Sequence, residues 1–254
     1  MEKEKELLQL KNRFRDLANK AFQQNMFTFT GFLGLSEQDA FWNVESDLRH
    51  AGFSLYGGSD DTDRKIVRFG NVEELGYEIP FPIVCIHIRP LIAKFADKLS
   101  HRDFLGALMN LGIERSTIGD IKVGENCAYL FCLDSIAEYI CDNLDKIKHT
   151  SVKCSITDNY EEFQQQEPSR ENIHVASGRI DACIAKVYNK SRGDVIELFR
   201  AGKVYVNGRL CENNAKMLKE NEVVNVRGFG KFIYIGNPRE TRKGKLSVEV
   251  AVYR

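Results

Sequence analysis

The tightest constraint on the fold of this chain lies between Ser177 and Tyr234, where two helix starts, a helix stop and a two-residue turn crowd together. Ser177 is placed to cap a helix in which Ile180, Ile184 and Val187 fall at i, i+4 and i+7, an apolar stripe. Ser191 opens a second helix, with Asp194 as its capping-box partner and Val195, Leu198 and Phe199 as its core face. Gly202 ends it, and Asn207-Gly208 between two short β runs is a hairpin signal. Two short helices must therefore share a core with a small sheet that continues through Val223–Val226 toward Arg227-Gly-Phe-Gly-Lys-Phe232.

This third of the chain is also basic. From Arg170 to Arg254 about 17 Lys and Arg stand against about 9 Asp and Glu, roughly +8. The preceding residues carry roughly −8, so the net charge of +0 averages two opposites. A polyanion belongs at the C-terminal end, and the acidic remainder suits protein contacts or orients that end. Lys186 and Lys190 fall within about 20° of Arg179 on either side on a 3.6-residue helix, and the three form a basic ridge. Arg192 occupies the first turn of the second helix, where a cation is unfavourable unless an anion joins it. An RNA phosphate would satisfy both Arg192 and the exposed helix N–H groups.

Upstream, the pattern predicts an amphipathic helix over Glu4–Gln24 with Leu7, Leu10, Phe14, Leu17 and Phe22 near one face. A strand over Phe27–Leu33, a helix from Ser36 to His50 stopped by Gly52, and strands at Phe53–Tyr56 and Lys65–Phe69 complete an α+β unit, 1–74. Residues 75–158 then read strand (Ile83–Ile88), helix (Ser100–Leu111), strands (Ile118–Val123, Ala128–Leu133), helix (Ser135–Ile147) and strand (Val152–Ile156). That βαββαβ order is expected of a ferredoxin-like or RRM-like domain. Tyr129 and Phe131 share a face of their strand, and core packing is the expectation over base stacking because the basic-aromatic RNA signature is missing. The polar stretch 159–174, with its change of charge sign, reads as a linker to a final domain, 175–254. The fold class is multi-domain α+β.

Here the residues resemble known proteins. Arg179-Ile-Asp181, Ser191-Arg192 and Gly202-Lys-Val-Tyr-Val-Asn207-Gly208, closing with the Val223 strand, resemble the S-four (alpha-L) RNA-binding domain. The Arg227–Phe232 ending, with the His101–Gly112 run and Gly119-Asp-Ile121, is similar more narrowly to the bacterial YlmH family. That resemblance implies a cytoplasmic, non-enzymatic factor that binds large-subunit ribosomal RNA and tRNA in rescue of stalled translation, monomeric when free. It also implies a link to cell division through gene neighbourhood. By position it carries over Arg179, Ser191, Arg192, Lys203 and Asn207, and with the other outward basic residues of the segment the RNA-binding candidates are Arg179, Lys186, Lys190, Ser191, Arg192, Arg200, Lys203, Asn207, Arg209, Arg227 and Lys231. Gly193-Asp194 and Glu197 depart from the commoner polar or basic choices of the second helix.

Other chemistries find less support. Arg179-Ile-Asp181 also resembles the Arg-Leu-Asp of pseudouridine synthases, which keeps an RNA-modifying enzyme as the alternative, yet no separate catalytic domain accompanies it. His101-Arg102-Asp103 imitates a kinase loop without its lysine, glycine loop or DFG and reads as a helix start. Asp60-Asp61-Thr62-Asp63 lacks the glycine and distal glutamate of a calcium loop and reads as a solvated turn. Seven cysteines without a CxxC pair read as reduced core thiols rather than a zinc site. No cofactor, metal or membrane span is expected, leaving a protein-interaction role as a third reading.

Overall fold

In a computed structural model of the protein, residues 2–125, 127–158, 168–240 and 244–253 are described. The chain is mixed α+β, with three sheets among the described residues, and divides into two compact units, Met1–Gln165 and Gln166–Arg254.

The first unit begins with helix α1 (Glu2–Gln24). Phe14, Leu17, Ala18 and Ala21 recur at helical spacing and are buried, whereas Leu7 and Phe22, expected on this face, are exposed. Phe14 meets Phe41 of helix α2 (Leu35–Trp42) edge to face at 5.5 Å. The expected helix from Ser36 to His50 is broken: Gly34, not Ser36, is the N-cap, with Glu37 closing the capping box. After Trp42 the poor helix formers Asn43 and Val44 intervene before a short helix α3 (Glu45–Leu48) and a 3-10 turn to Ala51. Strands β1 (Thr28–Phe29), β2 (Phe53–Tyr56) and β3 (Ile66–Phe69) make an antiparallel sheet in the order β1-β3-β2. A single helical turn, α4 (Val72–Leu75), capped by Asn71, follows.

The same unit continues with β4 (Ile83–Pro90), α5 (His101–Asn110), β5 (Ile118–Val123), β6 (Ala128–Leu133), α6 (Asp134–Asn143), a short β7 (Lys146–Ile147) and β8 (Thr150–Thr157). The sheet order is β5-β6-β4-β8-β7, antiparallel throughout. His101-Arg102-Asp103 opens α5 as expected, with Ser100 as N-cap. Helix α6 stops at Asn143, four residues before its expected end, and Lys146–Ile147 pair with β8 instead.

Strand alternation splits this sheet into two faces. Ile86, Ile88, Leu130 and Cys132 face a core with Phe104, Leu108 and Ile140 from the helices. Cys85, Tyr129 and Phe131 face the other way and are packed with Phe32 and Ile66 from the N-terminal elements. Those elements sit very close. A Cβ on Gly58, whose φ is +104°, would lie 2.2 Å from a ring carbon of Phe131, and one on Gly119 would lie 2.6 Å from the Phe32 ring. The turn expected to be solvated belongs to this contact: Ser59 and Thr62 are buried, and Asp61 pairs with Lys122.

In the second unit, β9 (Ser169–Val175) precedes α7 (Ile180–Val187) and α8 (Arg192–Arg200). Strands β10 (Val204–Val206), β11 (Arg209–Leu210), β12 (Glu222–Val226), β13 (Gly230–Glu240) and β14 (Leu246–Tyr253) follow. The six-stranded sheet runs β11-β10-β12-β13-β14-β9, antiparallel throughout. Ile180, Ile184, Val195 and Phe199 pack with Val224, Phe232 and Val250 in one core. Residues 169–174, expected within the linker, are strand instead, because β9 completes its hydrogen bonds on β14 and buries Ile173 and Val175. Of the rest of that expected linker, residues 159–167 lie outside the described residues.

Candidate nucleic-acid interface

The start of α7 lies two residues later than Ser177 predicts. Arg179 is the N-cap, in extended conformation, fixed because Ile180 N–H donates to the Lys216 carbonyl and Leu218 N–H to the Gly178 carbonyl. With the helix ending at Val187, only Lys186 of the expected basic ridge is on it; Arg179 precedes it and Lys190 follows it. Arg179 also forks onto the buried Asp181, Nε to Oδ1 at 3.1 Å and a terminal nitrogen to Oδ2 at 2.7 Å. This pairing raises the Arg179 pKa. Both carboxylate oxygens of Asp181 are thus engaged by a side chain, and the pairing orders the helix start.

At α8 the capping box is present: Asp194 N–H donates to Ser191 Oγ at 3.2 Å, and Asp194 Oδ2 accepts from the Ser191 hydroxyl at 2.7 Å and its N–H at 3.1 Å. Those bonds hold the Asp194 carboxyl below the usual carboxylate range, the hydroxyl contributing most. The helix start therefore carries its own carboxylate. The N–H groups of Arg192 and Gly193, both exposed, stand outside the helical ladder at its first two positions.

Lys190 reaches across to place Nζ 4.8 Å from the centre of the Phe229 ring, and Tyr188 sits 5.8 Å from the same ring. Phe229 is exposed at the turn between β12 and β13, where Gly228 and Gly230 have φ of +90° and +114°. Arg227 in that turn donates its N–H to the Lys203 carbonyl at 2.9 Å. The fold thus gathers Lys190, Lys203, Arg227 and Phe229 at one end of β10 and β12. Lys186, Arg192, Lys203 and Arg227 are exposed, and among the described residues none of them is held in an ion pair.

Other expected residues stand elsewhere. Asn207 and Gly208, with φ of +51° and +77°, form the two-residue turn at the opposite end of β10. Asn207 there exchanges hydrogen bonds with Val223, its N–H donating to the Val223 carbonyl and its Oδ1 accepting the Val223 N–H, so it is a turn-forming residue. Arg209 is on the same turn's far side, Arg200 pairs with Glu197 at 2.6 Å, and Lys231 lies over the Tyr253 ring at 4.9 Å. Sequence reasoning missed Phe229 and Tyr188. The glycines flanking Phe229 were the available signal, since a large aromatic between two glycines is poorly placed for a core.

In the first unit, Tyr129 and Phe131 are buried, so neither presents a ring for base stacking. Burial pushes the thiols of Cys85, Cys132, Cys154 and Cys183 up to about 12, and all seven cysteines are free. Among the described residues no three His, Cys, Asp or Glu side chains gather as a metal would require. No described helix is long and apolar enough to cross a membrane.

Comparison with known proteins adds three findings. Residues 79–161 match a family model described as "Putative RNA-binding domain in YlmH". The chain is 26% identical over 230 residues to the Ribosome-associated protein quality control protein P2 of Bacillus subtilis (strain 168), covering 89% of this chain and 87% of that protein. Among solved structures it is similar to the Cell division protein ylmH from Streptococcus pneumoniae, with a TM-score of 0.47 and 20% identity over 61% of this chain and 93% of that one.

Proposed function

From membership of the YlmH family we propose that this chain is a ribosome-associated RNA-binding factor. In this reading it serves ribosome-associated quality control in the cytoplasm as a monomer, holds large-subunit ribosomal RNA and tRNA, and performs no chemistry of its own. The observation that carries it is the gathering of Lys190, Lys203 and Arg227 beside the exposed ring of Phe229. Cations take phosphates without reading sequence, while a flanking aromatic suits an unpaired base. The helix pair on an antiparallel sheet with an Asn-Gly hairpin supports an S-four-type module, and the β5-β6-β4-β8 order supports an RRM-like middle domain.

Co-sedimentation with purified large ribosomal subunits tests the assignment. The full chain carrying Lys190→Gln, Lys203→Gln and Arg227→Gln should lose most binding at moderate salt, because each phosphate contact contributes through counterion release. Unchanged sedimentation would remove this surface from the reading.

A further inference from the structure

A domain matched to an RNA-binding family has its sheet closed on both faces. Tyr129 and Phe131 lie against Phe32 and Ile66 on one side, and Phe104, Leu108 and Ile140 fill the other. The end at which β4 leaves the sheet is different. Leu91, Ile92 and Phe95 are 62%, 61% and 76% exposed, three large apolar side chains in one connection.

That connection is held in place. Leu91 N–H donates to the Ser151 carbonyl at 2.9 Å, and Asp97 N–H donates to Thr150 Oγ1 at 2.8 Å. The Asp97 carboxylate accepts from the Thr150 hydroxyl at 3.1 Å and from His149 N–H at 3.2 Å. The apolar residues are therefore displayed on a loop fastened to the β7–β8 turn. Cations lie near them along the chain: Arg89 and Lys153 are cross-strand partners at the end of the β4–β8 ladder, and Lys94 and Lys98 belong to the loop, all four exposed. Lys94 Nζ lies 5.8 Å from the Phe95 ring. The nearby carboxylates are engaged, Asp97 as described and Asp103 with Lys148 at 2.8 Å and with Ser100.

We propose that this end of the middle sheet is a second RNA contact, in which Phe95 stacks on an unpaired base and Arg89, Lys94, Lys98 and Lys153 take the flanking phosphates. An exposed ring beside ammonium groups is the combination that sequence-tolerant single-strand binding uses. The inference rests on the RNA-binding reading of the chain but not on its C-terminal surface.

The probe is a single-stranded oligouridine carrying 4-thiouridine, applied to the full chain with Phe95→Ala, with Phe95→Trp, and with each combined with the C-terminal triple substitution. Phe95→Ala should weaken binding by roughly 5- to 100-fold, the worth of one stacked base, while Phe95→Trp retains it. Crosslinks should map within residues 89–98. Unchanged affinity of Phe95→Ala in both backgrounds, with no such crosslinks, overturns the inference. Loss of large-subunit sedimentation with unchanged oligouridine affinity also overturns it, assigning the surface to a ribosomal protein. If the triple substitution has no effect but Phe95→Ala does, the C-terminal assignment falls and this one stands.

Discussion

Arg64 and Asp120 fasten the N-terminal elements to the middle sheet, the Asp120 carboxylate accepting the Arg64 N–H at 3.2 Å and the Asp63 N–H at 2.5 Å. The Arg64 guanidinium completes the joint by donating to the carbonyls of Phe32, Arg115 and Ile118 at 2.8 to 3.0 Å. Burial, with Arg115 adding repulsion, pulls its pKa down to about 10, so it remains charged at neutral pH.

Arg64→Ala leaves those three carbonyls without this donor and should destabilise the first unit by about 2–4 kcal/mol. Urea unfolding followed at Trp42, which lies in that unit, should show a lower midpoint. An unchanged midpoint would mean the joint contributes nothing net.

Gly58→Ala places a methyl group against the Phe131 ring at a φ of +104°. Strain and overpacking together should cost about 2–4 kcal/mol. Thermal melting of the variant should fall accordingly, whereas Gly106→Ala, which meets nothing within 4 Å, should melt like the parent or slightly higher.

Asp103 is held at a pKa of about 2, first by Lys148 and then by Ser100, against an ordinary value of 3.8. A carboxyl lowered in the folded state contributes stability above its unfolded pKa and loses it as pH falls through the folded one. The contribution should therefore fade between about pH 4 and pH 2. Carboxyl carbon NMR should place the midpoint near 2, and Lys148→Gln should move it upward.

The thiols of Cys85, Cys132, Cys154 and Cys183, raised to about 12, should be roughly a thousandfold less ionised at pH 8 than an ordinary exposed thiol. Alkylation followed by mass spectrometry should label them only at the rate of unfolding. Rapid native labelling of any of the four contradicts their burial.

Arg192→Gln should weaken RNA binding and lower the salt slope by about 1 if Arg192 meets one phosphate. Arg179→Gln should act mainly on thermal stability, because Arg179 is tied to Asp181. Equal salt-slope changes in both variants would count against that division of roles.

Much of the local structure was legible because it is written in short-range chemistry. Ser191 with Asp194, Asn207-Gly208 and the unbroken apolar run Ala128–Leu133 each specify a conformation within a few residues. Ser177 misled because the helix start is set by pairing between Gly178–Ile180 and Lys216–Leu218, roughly forty positions apart in sequence. Strand β14, with Val248, Val250 and Val252 alternating inward, carries a period-two signal, whereas its partner β9 is hidden in a polar stretch. Of the interface, the charges were visible and their neighbours were not. Nothing local says that Arg179 and Arg200 are already paired, or that Lys190 reaches Phe229.

The pairing of β9 with β14 sets an order of events during synthesis. Arg170 and Glu249, which bond across this ladder, are 79 positions apart, so β9 emerges long before β14, the strand it pairs with, exists. Closing so long a loop is slow relative to the local helices and hairpin. The helix pair and its cations can form while β9 still waits, and a nascent chain at this stage carries a basic surface on an unfinished sheet.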